Sequence, residues 1–215
     1  MIVTAEQLQR IMPALGMRAA LCAGPLNVAM VRFQIQTARR AAEFLAQIAH
    51  ESGQLSRLRE DLDYRIARLR EVWPKRFPDD ATAVLYAHQP EKLANFVYAN
   101  LYGNGDTASG DGYKFRGAGY LQHTFRANHA AIGRQFSMPV EQVGDWLNTH
   151  EGAALGAAYF WAEHRCNELA DTGNTDAVSD VINLGRRTVA VGDANGYADR
   201  LAFRNRAYDV LGVPK

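Results

Sequence analysis

Apolar residues recur at three- and four-residue spacing along most of the chain, the period of helices that each bury one face. Thr4 is placed to cap a first helix through Leu8 and Ile11, with Gln7 three residues on, as in a capping box. Gly24-Pro25 reads as a break, followed by a second helix through Met30 and Phe33. A third covers Arg39–Glu51, where Phe44, Ile48 and Glu51 share a face and Gly53 stands as terminator. Leu58, Leu62, Ile66, Leu69 and Trp73 predict partial helix in a charged stretch closed by Pro74 and Pro78. Another helix is expected over Pro90–Leu101. Residues 102–112 hold four glycines, two aspartates and an asparagine in eleven positions, which makes them loop. Residues 113–124 read as a short hairpin or extended stretch in which Gly117 and Gly119 permit close backbone approach. Helical patterns follow over Arg126–Phe136, Glu141–Asn148, Glu151–Arg165, Asp176–Leu184 and Gly196–Leu211, with Gly212 as the last C-cap. The expected class is mainly α with little β.

Composition narrows the function classes. The 215 residues suit one domain, and 47% apolar with 22% charged residues is ordinary globular make-up. A net charge of +1 argues against a nucleic-acid binder built on a broad basic surface, although arginines gather at 57–70 and 186–206. Cys22 and Cys166 form neither a disulfide framework nor a zinc knuckle, so buried thiols are expected, with one Cys22–Cys166 bridge as the alternative. The N-terminus lacks a basic segment followed by an apolar block, so no signal peptide is expected. Residues 11–31 are fairly apolar, but Pro13, Gly16, Arg18, Gly24, Pro25 and Asn27 interrupt them. They read as short of a membrane span, and no stable insertion is expected.

Three constellations can carry chemistry. Glu51 ends an apolar stripe, where ionisation is costly; a carboxyl kept protonated there would serve as general acid for glycoside cleavage. Its partner would be Glu60. On an unbroken helix the two would lie about 13 Å apart on opposite faces, but Gly53 allows a reversal. Inverting glycosidases hold their carboxyls roughly 6.5–9.5 Å apart. By spacing alone, two unrelated glutamates are the plainer explanation. In the second constellation, Gln122 and Thr124 would project to one side of an extended strand and hold water or sugar; polar outward positions of a hairpin are the bland alternative. In the third, Asn183 ends an apolar helix and could hydrogen-bond an N-acetyl group or a peptide, while Arg200 could pair with a carboxylate such as Glu60; a C-cap and a surface arginine are the alternatives. Other motifs fail. Gln54 stands where a metalloprotease helix needs histidine, and Asp111 where a phosphate loop needs lysine. The Asn104/Asp106/Asp111 loop lacks the ligand alternation of an EF-hand. The histidines are too scattered to claim a metal.

Taken together, Pro25–Met30, Phe44–Gly53, Glu60–Tyr64, Tyr102–Asp106, Ser109–Gly112, Phe115–Gly119, Ile182-Asn183 and Asp199–Leu201 resemble glycoside hydrolase family 19. This is the chitinase-like branch of the lysozyme superfamily, and the likeness is nearest to its compact phage endolysins. The resemblance covers nearly the whole chain. It implies a mainly α, lysozyme-like bilobed single domain over residues 1–215, with a substrate groove between lobes. The smaller lobe would lie within about 60–115, with no separate cell-wall-binding module. It implies Glu51 as general acid, Glu60 as general base, and Thr124 as the hydroxyl that helps place the water. Gln122, Asn183 and Arg200 would contact substrate or join its network, with His50 beside the acid. It implies a monomer needing no cofactor or metal. The expected substrate is bacterial peptidoglycan, cut with inversion between N-acetylmuramic acid and N-acetylglucosamine; chitin is the alternative. The enzyme would gather in the host cytoplasm and reach the wall after holin-dependent release. The chain departs from the pattern at Ala118, where arginine is common, at His123 and Leu184, and at Arg187, near an acidic position of plant chitinases.

Overall fold

The computed structural model describes residues 3–214; the reading of the N-terminus rests partly on Met1 and Ile2, which lie outside the described residues. Among these, helices α1 (Ala5–Ile11), α2 (Ala19–Arg32), α3 (Ala38–Glu51), α4 (Ile66–Val72), α5 (Asp80–Ala83), α6 (Pro90–Val97) and α7 (Asp111–Lys114) are followed by six more. They are α8 (Arg126–Phe136), α9 (Val140–Leu147), α10 (His150–Glu163), α11 (Cys166–Asp171), α12 (Thr175–Leu184) and α13 (Tyr197–Leu211). The β content among the described residues is two isolated bridges, Arg59 to Ala118 and Ala118 to His123. The chain divides into two compact units, one of residues 1–58, 119–121 and 146–215 and one of 59–118 and 122–145, so the second takes in more than the 60–115 stretch expected.

The first unit is built on α3. Thr37 caps it by accepting the Arg40 N–H, and residues 41–49 are all buried. The apolar stripe supplies the burial: Phe44, Leu45 and Ile48 are fully covered, each contributing about 1.5–3 kcal/mol. Helix α13 packs along α3, and α10 along α2. The small residues of α10 (Gly152, Ala153, Ala154, Gly156, Ala157, Ala158) are all buried, which lets neighbouring backbone come close. Thr4 caps α1 in the reciprocal box with Gln7, and Gly212 ends α13 in the left-handed region. Both cysteines are free and buried.

Two sequence expectations fail in this unit. Gly24-Pro25 does not break the chain; α2 runs through both. Buried Cys22, Leu26, Ala29 and Met30 hold the helix against the core, and that packing outweighs a local loss of about 3 kcal/mol for an interior proline. Consequently Pro13–Arg32 is long and apolar enough to cross a membrane by length and composition, against the reading that it falls short. It is kinked at Gly16 (φ 53°, ψ −138°).

The second unit has its own core of Leu62, Leu69, Phe77, Leu93 and Val97, ringed by Tyr64, Trp73, Tyr86 and Phe96. Its α6 stops at Val97, short of the expected Leu101. The glycine-rich segment after it is pinned by its own polar groups. Asn104 donates to the Tyr98 carbonyl at 2.9 Å and accepts the Arg126 N–H at 2.9 Å. Asp111, 7% exposed in its side chain, accepts both Nε (3.0 Å) and Nη2 (2.7 Å) of Arg126 and the Gly105 N–H. Charge-assisted bonding from Arg126 holds the Asp111 carboxyl below the usual carboxylate range.

A depressed folded value means that this stabilisation is complete above the unfolded pKa of about 3.9 and fades as pH falls through the lower folded value. Asp111→Asn is therefore expected to cost about 2–3 kcal/mol in urea unfolding at pH 7. At a pH below the lowered folded value, the gap to the wild type should close. An equal gap at both pH values would contradict this assignment.

Candidate active site

In the first unit, α3 delivers Glu51 at its C-terminal end. The chain then turns sharply: Gly53, Gln54 and Leu55 all have φ between 57° and 59°. Three successive left-handed residues are costly for Gln and Leu. Ser52 ties this turn down, donating to the Ile48 carbonyl and accepting the Leu55 N–H. Glu51 keeps 22% of its side chain exposed, enough for a substrate to reach. Its Oε1 accepts from Nη2 of Arg200, a fully buried guanidinium on α13. Arg200 also donates from Nη1 to Oε1 of Gln47 (2.6 Å) and from Nε to the Asn195 carbonyl (3.0 Å). Gln47 in turn donates to the Ser179 hydroxyl at 3.1 Å.

The same face of α3 continues this polar ladder upward. Glu43, wholly buried, accepts from the hydroxyls of Thr175 and Tyr208, each at 2.7 Å. Arg204 approaches it at 3.5 Å. Glu43, Gln47 and Glu51 are spaced by four, so they stack on one side of the helix. That spacing was present in the sequence, and it could have marked Gln47 and Glu43 as part of the site.

His50 binds Oδ2 of Asp199 through Nδ1 at 2.7 Å, tying the residue beside Glu51 to the start of α13. Its ring lies over Gly196, where a Cβ would come within 2.1 Å of Cε1; no other residue fits at φ 69° in that space. The Asn183 side-chain oxygen accepts the Asn195 N–H at 2.8 Å. Asn195 thus joins Asn183 to Arg200 and, through it, to Glu51.

In the second unit, Glu60 follows the Arg59 bridge and is half-buried. Oε1 accepts the Tyr98 hydroxyl at 2.6 Å, and Oε2 accepts the Gly117 N–H at 3.0 Å. Both oxygens are therefore held as acceptors. A Cβ at Gly117 would sit 2.9 Å from Oε1 of Gln122 and 3.2 Å from Cβ of Glu60, so the approach depends on glycine. Burial first, then the neighbouring Glu60 charge, push the Tyr98 hydroxyl well above the usual phenol range, so Tyr98 acts as a donor. Nothing in the local sequence pattern marked Tyr98.

The structure corrects three expectations about these residues. Arg200 pairs with Glu51 rather than Glu60. It is a buried network residue, not a surface arginine or a group open to ligand. Glu51 meets a guanidinium instead of an apolar wall, so desolvation by the Phe44/Ile48 stripe does not describe its surroundings. Gln122 and Thr124 do not alternate on a strand: residues 119–122 form a turn closed by the Ala118–His123 bridge, and Gln122 has φ 49°. Thr124 donates to the Gln122 carbonyl at 3.0 Å. Of the predicted residues, then, Glu51, His50, Asn183 and Arg200 belong to one linked set in the first unit, while Glu60, Gln122 and Thr124 belong to the second.

No family model matches the chain. A curated Haemophilus influenzae protein, described as a glycosyl hydrolase family 19 domain-containing protein, is 40% identical over 144 residues, 67% of this chain and 70% of that protein. Among solved structures, chitinase C from Streptomyces griseus aligns with a TM-score of 0.61 at 16% identity, over 98% of this chain and 76% of that one. A bacterial family 19 chitinase aligns at 0.60 and 16% identity, over 100% and 97% of the two chains. A class IV chitinase from Zea mays gives 0.52 and 16%, over 99% and 83%. At that identity the structures speak for the fold, a mainly α arrangement common to all three. The sequence relative carries the assignment further, to descent and to the reaction class. The chain is a member of glycoside hydrolase family 19, an enzyme family acting on polysaccharides that contain N-acetylglucosamine.

Proposed function

We propose that this enzyme is a peptidoglycan hydrolase that cuts the β-1,4 bond between N-acetylmuramic acid and N-acetylglucosamine with inversion. Glu51 is the general acid. With Oε1 held as an acceptor by Arg200, the transferable proton belongs on Oε2, which protonates the leaving oxygen. Glu60 is the general base. Tyr98 and the Gly117 N–H fix its orientation while it removes a proton from the attacking water, with the Thr124 hydroxyl helping to place that water. Bond breaking and water attack occur in one displacement, so no covalent sugar intermediate forms and no metal is called for. The observation that carries this reading is the donor set around each carboxylate: each is held by neighbours that leave it oriented and partly exposed.

What favours peptidoglycan over chitin, the polymer for which the structural neighbours are named, is charge. Arg186 and Arg187 are exposed and line an open cavity of about 590 Å³ with Thr188, Val189, Ala190 and Asp193. This loop ends at Asn195, the residue tied to Asn183 and Arg200. Two exposed guanidiniums on the loop that leads into this network suit a glycan that bears carboxylates, and chitin bears none.

The test is mass spectrometry of fragments released from purified peptidoglycan, followed by borohydride reduction. The proposal expects N-acetylmuramitol at the new ends, with turnover exceeding that on chitin oligomers. N-acetylglucosaminitol ends would reassign the bond. Turnover of chitin oligomers alone would make chitin the substrate.

A further inference from the structure

The outward face of α2 is apolar from end to end. Leu21, Val28 and Val31 are 62%, 60% and 50% exposed, and Met17, just before the helix, is 96% exposed. Ala20 and Gly24 fill the same face, since positions 20, 21, 24, 28 and 31 recur at helical spacing. Between Arg18 and Arg32 the helix carries no charge at all. A soluble surface helix normally turns polar residues outward, and a contiguous exposed apolar strip of this kind marks an interaction site. The strip is about 21 Å long by helix rise.

The charge along this stretch of chain says what covers it. From residue 7 to residue 42 the chain has no aspartate or glutamate, and it has five arginines, at 10, 18, 32, 39 and 40. Arg40 pairs with Asp171. Arg18 donates to the carbonyls of Ala14 and Leu55, so it is held in place without being neutralised. Arg10 is exposed on α1, and Arg32 is exposed at the far end of the strip. An apolar face bracketed by arginines matches a bilayer, with hydrocarbon for the valines and leucine and anionic headgroups for the guanidiniums. A second copy of the chain would set the same arginines against each other.

We propose that the exposed face of α2, with Arg18 and Arg32 at its two ends, binds peripherally to the surface of an anionic lipid bilayer. The helix lies in the interface and does not span it, because its opposite face, Cys22, Leu26, Ala29 and Met30, stays in the protein core. The inference is independent of which glycan the enzyme cuts.

Co-sedimentation of the intact protein with vesicles tests it. Wild-type protein should pellet with phosphatidylglycerol/phosphatidylethanolamine vesicles and remain in solution with pure phosphatidylcholine. The double variant Leu21→Asp/Val28→Asp alters two exposed side chains, so its melting temperature and its activity on soluble glycan fragments should be unchanged. Its affinity for the anionic vesicles should fall at least about tenfold. Wild-type protein that stays in the supernatant, or a double variant that pellets equally well, would overturn the proposal. So would sedimentation velocity showing a wild-type dimer that L21D/V28D dissociates while no vesicle binding is seen, which would give the face to a second copy.

Discussion

Replacing Glu51 by glutamine is expected to lower kcat about a thousandfold, with KM little changed and melting temperature within a few degrees of wild type. Glutamine keeps a carbonyl oxygen for Arg200, so the buried guanidinium retains its third acceptor, while the transferable proton is gone. Alanine at the same position should behave differently. It removes the acceptor as well, and Arg200, with no exposure of its own, is left with Gln47 and Asn195 alone. That variant should lose stability by about 1–3 kcal/mol in addition to activity. Glu60→Gln should match Glu51→Gln in rate loss, because the base is as necessary as the acid in a one-step displacement. Assay on purified peptidoglycan together with thermal melts separates the two effects. A Glu51→Gln enzyme within tenfold of wild type would remove Glu51 from the proton-donor role.

The second large effect is expected at Arg200. Replacement by methionine leaves the oxygens of Gln47, Glu51 and Asn195 without their donor inside the first unit. Breaking a buried charged network by removing one member costs about 3–5 kcal/mol, or roughly 10 °C in melting temperature for a chain of this size. Lysine tells more. It keeps the charge but has no planar fork to serve Gln47 and Glu51 at once. Arg200→Lys should recover part of the melting temperature while kcat stays depressed and KM holds. Were Arg200 only structural, kcat would recover in step with stability.

Much of the fold was legible because helical period and capping chemistry are local. Thr4 and Gly212 each sit where their side chain or conformational freedom places them. The reading failed where distant packing decides. Pro25 looks like a breaker in isolation, yet the buried face of α2 keeps the helix whole. The site divided in the same way. Glu51 and Glu60 could be named from motif and resemblance, and Gly117 from its need for close approach. Arg200's partner could not, because 149 residues separate it from Glu51 and a sequence does not say which carboxylate a remote arginine meets. Tyr98 escaped for the same reason: it reaches Glu60 across 38 residues from the end of α6. The Glu43/Gln47/Glu51 ladder was legible in its spacing, but an apolar stripe of equal period runs beside it on the same helix.

The polar ladder also suggests why α3 tolerates so much buried polarity. Glu43 carries a charge-capable group at 0% exposure. Its hydroxyl donors on α12 and α13 offset part of the desolvation, and the arrangement fixes the helix rotation that aims Glu51.

The central claim is a single inverting displacement performed by the two carboxylates. Proton NMR of the first products, taken before mutarotation from a β-linked muramyl-glucosaminyl oligomer, reads it directly. The account predicts that the new reducing end appears first as the α-anomer. An initial β-anomer would mean retention through a covalent intermediate, and would contradict it.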